Sequence, residues 1–138
     1  MIAEKKTNKF RLSRILAVED DKDLAEIIQE VFDQSGYQSL ILRRSEDIID
    51  QMFDFKPDLV LLDYLLPGIN GGELCGQIKR HQAFSKIPVI IYSAYPKVLT
   101  SLGDYGCDLF LPKPFDLDEL AKHIETLLLK KEHSTLLH

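Results

Sequence analysis

The sequence has no tryptophan and only two cysteines, Cys75 and Cys107, in 138 residues. These lie far apart and form neither a CxxC pair nor a spaced Cys/His set, which argues against a zinc site, a redox dithiol or a disulfide scaffold. They read as small buried hydrophobes in a reducing compartment. The four histidines (His81, His123, His133 and His138) are scattered, with no pair at HExxH spacing, so they suggest no metal centre. No apolar run approaches the ~20 residues of a membrane span, and the opening MIAEKKTNKFRLSR lacks the apolar segment of a secretory signal. A cytoplasmic location without membrane insertion is expected. Positive charge is not in excess: 17 Lys+Arg stand against 22 Asp+Glu, a net charge of -5, which gives no general attraction to nucleic acid. Both the GxxxxGK[ST] loop and the GxGxxG fingerprint are absent.

What is present is ordinary globular material, 45% hydrophobic and 28% charged, at a length that suits one domain. The hydrophobic period switches in a regular way. Ile15-Leu16-Ala17-Val18 is an apolar run, followed by Leu24, Ile27, Ile28, Val31 and Phe32 at helical spacing, closed by Gly36. Gln38 to Leu42 is a second strand. Ile48, Ile49, Met52 and Phe53 form a second helical stripe, with Ser45 as the expected N-cap, Glu46 and Asp47 in the first turn, and Pro57 as the stop. Leu59-Val60-Leu61-Leu62 is the third strand, and Asn70 with Glu73 has capping-box spacing for a helix through Leu74 and Ile78. Val89 to Tyr92 is the fourth strand, 97–102 a short weak helix after Pro96, and Leu109-Phe110-Leu111 the fifth strand. Asp116 and Glu119 box the last helix, whose stripe is Leu117, Leu120, Ala121, Ile124, Leu127 and Leu128. Strands that are continuously apolar are buried on both faces. The expected fold is therefore α/β, a doubly wound five-stranded parallel sheet of order 2-1-3-4-5, flavodoxin-like.

Ligands in such sheets bind beyond the carboxyl ends of the strands. Glu19-Asp20-Asp21 follow the first strand, Asp63 the third, Ser93 the fourth, and Lys113 the fifth after Pro112; the second strand ends in Arg43-Arg44 and adds no member. Singly, each is an ordinary turn or cap residue. Jointly they put carboxylates, a hydroxyl and an ammonium on one sheet edge. Glu19, Asp20 and Asp63 would repel one another, so either a shared proton or a divalent cation must relieve the site. Oxygen ligands alone favour a hard ion such as Mg²⁺. With Mg²⁺ and Lys113 the formal charges of the three carboxylates cancel, leaving a site able to accept a phosphoryl group on an aspartate nucleophile. A flavin phosphate would be repelled by Glu19-Asp20-Asp21. An aspartate-nucleophile phosphatase of the haloacid dehalogenase type needs a second Asp where Leu65 stands.

Four motifs occur in order: Ile15-Leu16-Ala17-Val18-Glu19-Asp20-Asp21, Leu61-Leu62-Asp63-Tyr64-Leu65-Leu66-Pro67-Gly68, Ser93-Ala94 and Lys113-Pro114-Phe115. In this the sequence resembles the receiver domain of two-component response regulators, from about Arg14 to Lys130. The resemblance implies that Asp63 is the phosphoacceptor, that Mg²⁺ is held by Asp20, Asp63, the backbone carbonyl of Leu65 and, through water, Glu19, and that Lys113 and Ser93 grip the phosphoryl group. It implies that Ser93 and Phe110 form the switch, that the Lys113-Pro114 peptide is cis, and that Leu65 and Tyr95 flank the acceptor and modulate access of water. A sensor histidine kinase or histidine phosphotransfer protein would supply the phosphoryl group. A downstream protein of unknown identity would read the face made by the fourth helix, fifth strand and last helix, with no direct DNA binding.

The expected organisation is a basic leader over 1–13, a receiver domain over 14–131 and a tail over 132–138, with no output domain. The leading reading is a stand-alone phosphoacceptor that is not a turnover enzyme. A binding-only pseudo-receiver and an aspartate-nucleophile phosphatase are the competitors.

Overall fold

The computed structural model describes residues 12–95 and 106–136. Five parallel strands form one sheet in the order β2-β1-β3-β4-β5: β1 (Arg14–Val18), β2 (Gln38–Leu42), β3 (Leu59–Asp63), β4 (Val89–Ser93) and β5 (Leu109–Pro112). Four helices are interleaved: α1 (Lys22–Gln34), α2 (Ile48–Phe55), α3 (Gly71–Arg80) and α4 (Leu117–Leu136). The short helix expected at 97–102 lies outside the described residues.

Alternation along each strand sends neighbouring side chains to opposite faces and divides the core in two. Leu16, Val18, Val60, Leu62, Val89 and Ile91 pack under Ile48, Met52, Leu74 and Ile78 of α2 and α3. Ile15, Ala17, Leu59, Leu61, Ile90 and Tyr92 pack under Ile28 and Phe32 of α1 and Leu120 and Ile124 of α4. The flavodoxin-like order expected from the continuous apolar runs is the order observed.

Helix starts follow the expected chemistry at three of four positions. Asp21 caps α1, its carboxylate accepting from Asp23 N and Leu24 N. Asn70 Oδ1 accepts from Glu73 N at 2.8 Å, and Asp116 Oδ1 from Asp118 N at 2.9 Å. At α2 the expectation fails. Ser45 is buried, and its backbone carbonyl accepts from Ile48 N. Asp47, in the left-handed region at φ 62, is the residue before the first turn, and Glu46 and Asp47 precede the helix. The extra residues complete a loop after β2, and sequence spacing alone does not reveal a left-handed aspartate. α4 runs on past Lys131 to Leu136. No Gly or Pro occurs there to end it.

Candidate phosphoryl and metal site at the carboxyl ends of the strands

Sheet register builds the site. Val18 is the partner of Leu62, so Glu19, one residue on, is level with Asp63, which is the partner of Tyr92. Side chains at one level of a parallel sheet share a face. Glu19, Asp63 and Tyr92 therefore lie in a row above the apolar layer of Ala17, Leu61 and Ile90. The ladder is extended at this end: Glu19 N donates to Leu42 O at 2.9 Å, Tyr64 N to Tyr92 O at 2.8 Å and Lys113 N to Ser93 O at 2.7 Å.

Glu19, Asp20 and Asp63 each bring a carboxylate oxygen within 4.8 Å of the others. Glu19 is fully buried and Asp63 is 6% exposed, whereas Asp20 faces solvent. Lys113 Nζ lies 3.6 Å from Asp63 Oδ2. Leu65 N donates to Asp63 Oδ1 at 3.2 Å, and Asp21 N to Glu19 Oε2 at 2.9 Å. Burial pushes the Asp63 carboxyl above its ordinary range, opposed by the Lys113 ammonium and the Leu65 amide. Burial likewise pushes Glu19 up, against hydrogen bonds from Tyr92 and the Asp21 amide. The Asp63 charge adds to the rise at Glu19 and the Asp20 charge to the rise at Asp63, the repulsion expected of crowded anions. Among the described residues this donor set holds oxygen only, with no histidine or cysteine, and suits a hard divalent cation rather than zinc or copper.

The remaining sequence-derived candidates are at the same edge. Ser93 is buried, and its Oγ accepts from Tyr95 N at 3.1 Å. Leu65 and Tyr95 are 51% and 54% exposed on the loops after β3 and β4. Phe110 is half-buried against the layer containing Ile91. The Lys113-Pro114 peptide is cis.

Three further residues belong to the site that the sequence reading passed over. Tyr92 donates its hydroxyl to Glu19 Oε1. Gly71 sits at the start of α3 with its amide donating to Tyr64 O at 2.7 Å. A Cβ there would strike the Asp63 carbonyl and come within 2.9 Å of Tyr64 Cα, so glycine lets α3 abut the strand end that carries Asp63. Arg43 donates to Asp20 O at 2.6 Å, so β2, seemingly without a member, braces the acidic loop. Arg43 and Arg44 line an open recess of about 400 Å³ with Asp20, Glu46, Pro67 and Gly68. A phenol inside an aliphatic strand, needing a buried partner, was the available signal for Tyr92; Gly71 was masked by the cap it follows.

Comparison with known proteins agrees with this geometry. The chain is 35% identical over 128 residues to the response regulator ArlR of Staphylococcus saprophyticus, a match spanning 91% of this chain and 57% of that protein. The chain thus covers little more than half the length of the curated relatives it matches. The receiver domain of a signal transduction histidine kinase from Syntrophus aciditrophicus superposes with a TM-score of 0.79 at 30% identity, covering 86% of this chain and 91% of that one. The response regulator TrrA of Thermotoga maritima, solved in complex with Mg(2+)-BeF, superposes with a TM-score of 0.76 at 29% identity, covering 84% of this chain and 99% of that one. Among the described residues no helix is long and apolar enough to cross a membrane. The family model for the response regulator receiver domain matches residues 15–125, which takes in every strand and the whole acidic row, and the chain belongs to that family of two-component signalling.

Proposed function

We propose that the receiver body, 14–131, is a phosphoacceptor in which Asp63 takes a phosphoryl group from the phosphohistidine of a sensor histidine kinase or histidine phosphotransfer protein. The observation that carries this reading is the buried Asp63 carboxylate at the ligand-binding end of the sheet, with Lys113 Nζ 3.6 Å away and Glu19 and Asp20 beside it. A carboxylate oxygen of Asp63 attacks phosphorus. The P–O bond forms as the P–N bond breaks, and the P–N electron pair returns to the donor imidazole, which is protonated on its other ring nitrogen and so leaves neutral. Asp20, Asp63, the Leu65 carbonyl and, through water, Glu19 would hold Mg²⁺, which would supply positive charge to offset that of the phosphoryl oxygens. Lys113 faces the same oxygens and stabilises them as they approach the carboxylate.

The acyl phosphate carries nearly one more negative charge than the carboxylate, with new acceptor oxygens. Ser93 and Lys113 gain partners only in that state, so phosphorylation shifts the population toward a conformer in which they are drawn inward. Phe110 then turns into the space behind Ser93, and the face that includes β5 and α4 changes what it binds. Its reader is a downstream protein. The domain is consumed and reset rather than turning over substrate, and Leu65 and Tyr95 over the acceptor slow the entry of water.

Incubation with Mg²⁺ and acetyl phosphate, followed by intact mass, tests this. The expected product is a single phosphoryl adduct that vanishes in Asp63→Asn. No adduct would favour a binding-only pseudo-receiver, and continuous release of phosphate a phosphatase.

A further inference from the structure

The Tyr92 side chain touches two members of the site at once. Its hydroxyl donates to Glu19 Oε1. The face of its ring lies 4.9 Å from Lys113 Nζ, within the range of a cation–π contact. The ring is fixed from the other side by Phe115, edge to face at 5.4 Å, directly after the Lys113-Pro114 pair. Tyr92 is fully buried. We propose that Tyr92 is a positioning residue for the cation site: its hydroxyl fixes the Glu19 carboxylate for the divalent ion, and its ring seats the Lys113 ammonium beside Asp63.

The two oxygens of Glu19 have separate tasks. Oε2 accepts from the Asp21 amide and is tied to the loop that carries Asp20. Oε1 accepts from Tyr92 and is tied to β4. With both ends held, the side chain is locked in one rotamer before any ion arrives, so little ordering remains to oppose binding. A hydrogen bond from a neutral donor also favours the ionised carboxylate. The phenol is suited to this task, because burial and the carboxylates around it hold its own proton far above the usual range. A leucine continuing the aliphatic stretch Val89-Ile90-Ile91 would supply neither contact.

This inference rests on the proposed role of Glu19 in holding Mg²⁺, and the test separates the two. Mg²⁺ binding to the full chain is measured by titration calorimetry, together with the tyrosine ultraviolet difference spectrum that Mg²⁺ produces, for wild type, Tyr92→Phe, Tyr37→Phe and Asp20→Asn. Tyr92→Phe keeps the ring and its contacts with Lys113 and Phe115 and loses only the hydroxyl. The expected result is Mg²⁺ binding weakened about tenfold in Tyr92→Phe, as for loss of other partners that orient a metal ligand. The difference spectrum should be lost in Tyr92→Phe and kept in Tyr37→Phe. Unchanged affinity, or weakened affinity with the spectrum intact, overturns the positioning role. Wild-type binding that is absent, or indifferent to Asp20→Asn, overturns the Mg²⁺ reading itself and this inference with it. If Tyr92→Phe does not fold, the wild-type spectrum decides: no tyrosine signal on Mg²⁺ addition overturns the proposal.

Discussion

Lys113 Nζ lies 3.6 Å from Asp63 Oδ2, and this pair joins the end of β5 to the end of β3 across β4. The ammonium is the counterion that partly offsets the cost of burying Asp63. On the proposed reading it also meets a phosphoryl oxygen once Asp63 is modified.

Lys113→Ala separates these two tasks. Without the ammonium the acidic cluster is more negative, so Mg²⁺ should bind several-fold more tightly in calorimetry. Phosphoryl transfer from acetyl phosphate should nevertheless slow by roughly a hundredfold, the order seen when a preorganised charge-stabilising donor is removed. Tighter metal binding with unimpaired transfer would assign Lys113 to structure alone.

Stability should depend on pH through the same cluster. Folding raises the proton affinity of Glu19 and Asp63 above the ordinary values of 4.5 and 3.8. Above those values the unfolded chain has released protons that the native state still holds, so stability falls as pH rises through the window and levels once the native carboxyls ionise. Asp63→Asn removes one of these charges. At pH 7 it should melt at least about 2 °C above wild type, and the gain should shrink as the pH is lowered toward 4.5. Mg²⁺ should raise the melting temperature of wild type more than that of Asp63→Asn. Thermal melts followed by circular dichroism over this range, with EDTA as the metal-free arm, provide the check.

Gly71→Ala is a substitution of one methyl group with a larger effect than its size suggests. The added Cβ meets the Asp63 carbonyl and the Tyr64 backbone, neither of which can yield without moving the acceptor. A loss of about 1–3 kcal/mol is expected from urea unfolding, with a slower phosphorylation rate in the fraction that folds. Gly76→Ala, where the added Cβ meets only the mobile end of the Arg80 side chain, provides the comparison.

The lifetime of the phosphorylated state should be set by Leu65 and Tyr95. Both are half-exposed on the loops after β3 and β4, and on the proposed reading their bulk impedes an in-line water. Leu65→Asn combined with Tyr95→Gly should shorten the half-life of the phosphoprotein several-fold, followed as loss of the intact-mass adduct after removal of donor. An unchanged half-life would remove both residues from this role.

The sheet order and the acidic edge were legible because they rest on strong, local signals. Leu59 to Leu62 is too apolar to face water on either side, and Asp63 directly after it has only one end of the sheet to occupy. Asn70 and Asp116 cap their helices by side-chain geometry that spacing alone specifies. The parts that were not legible depend on register between distant strands. Tyr92 reaches Glu19 only because β4 lies level with β3 and β3 with β1. Arg43 braces Asp20 only because β2 pairs with β1. Ser45 gave a misleading cap signal because it is buried two residues short of the cap position, which a left-handed Asp47 occupies.

The measurement that bears most directly on Asp63 as acceptor is localisation of the phosphoryl group. After reaction with acetyl phosphate and Mg²⁺, borohydride reduction converts an aspartyl phosphate to homoserine, which tandem mass spectrometry locates in the peptide. The expected result is homoserine at position 63 and aspartate retained at 20 and 21. Reduction at Asp20 or Asp21, or a phosphoryl adduct of undiminished yield in Asp63→Asn, would contradict it.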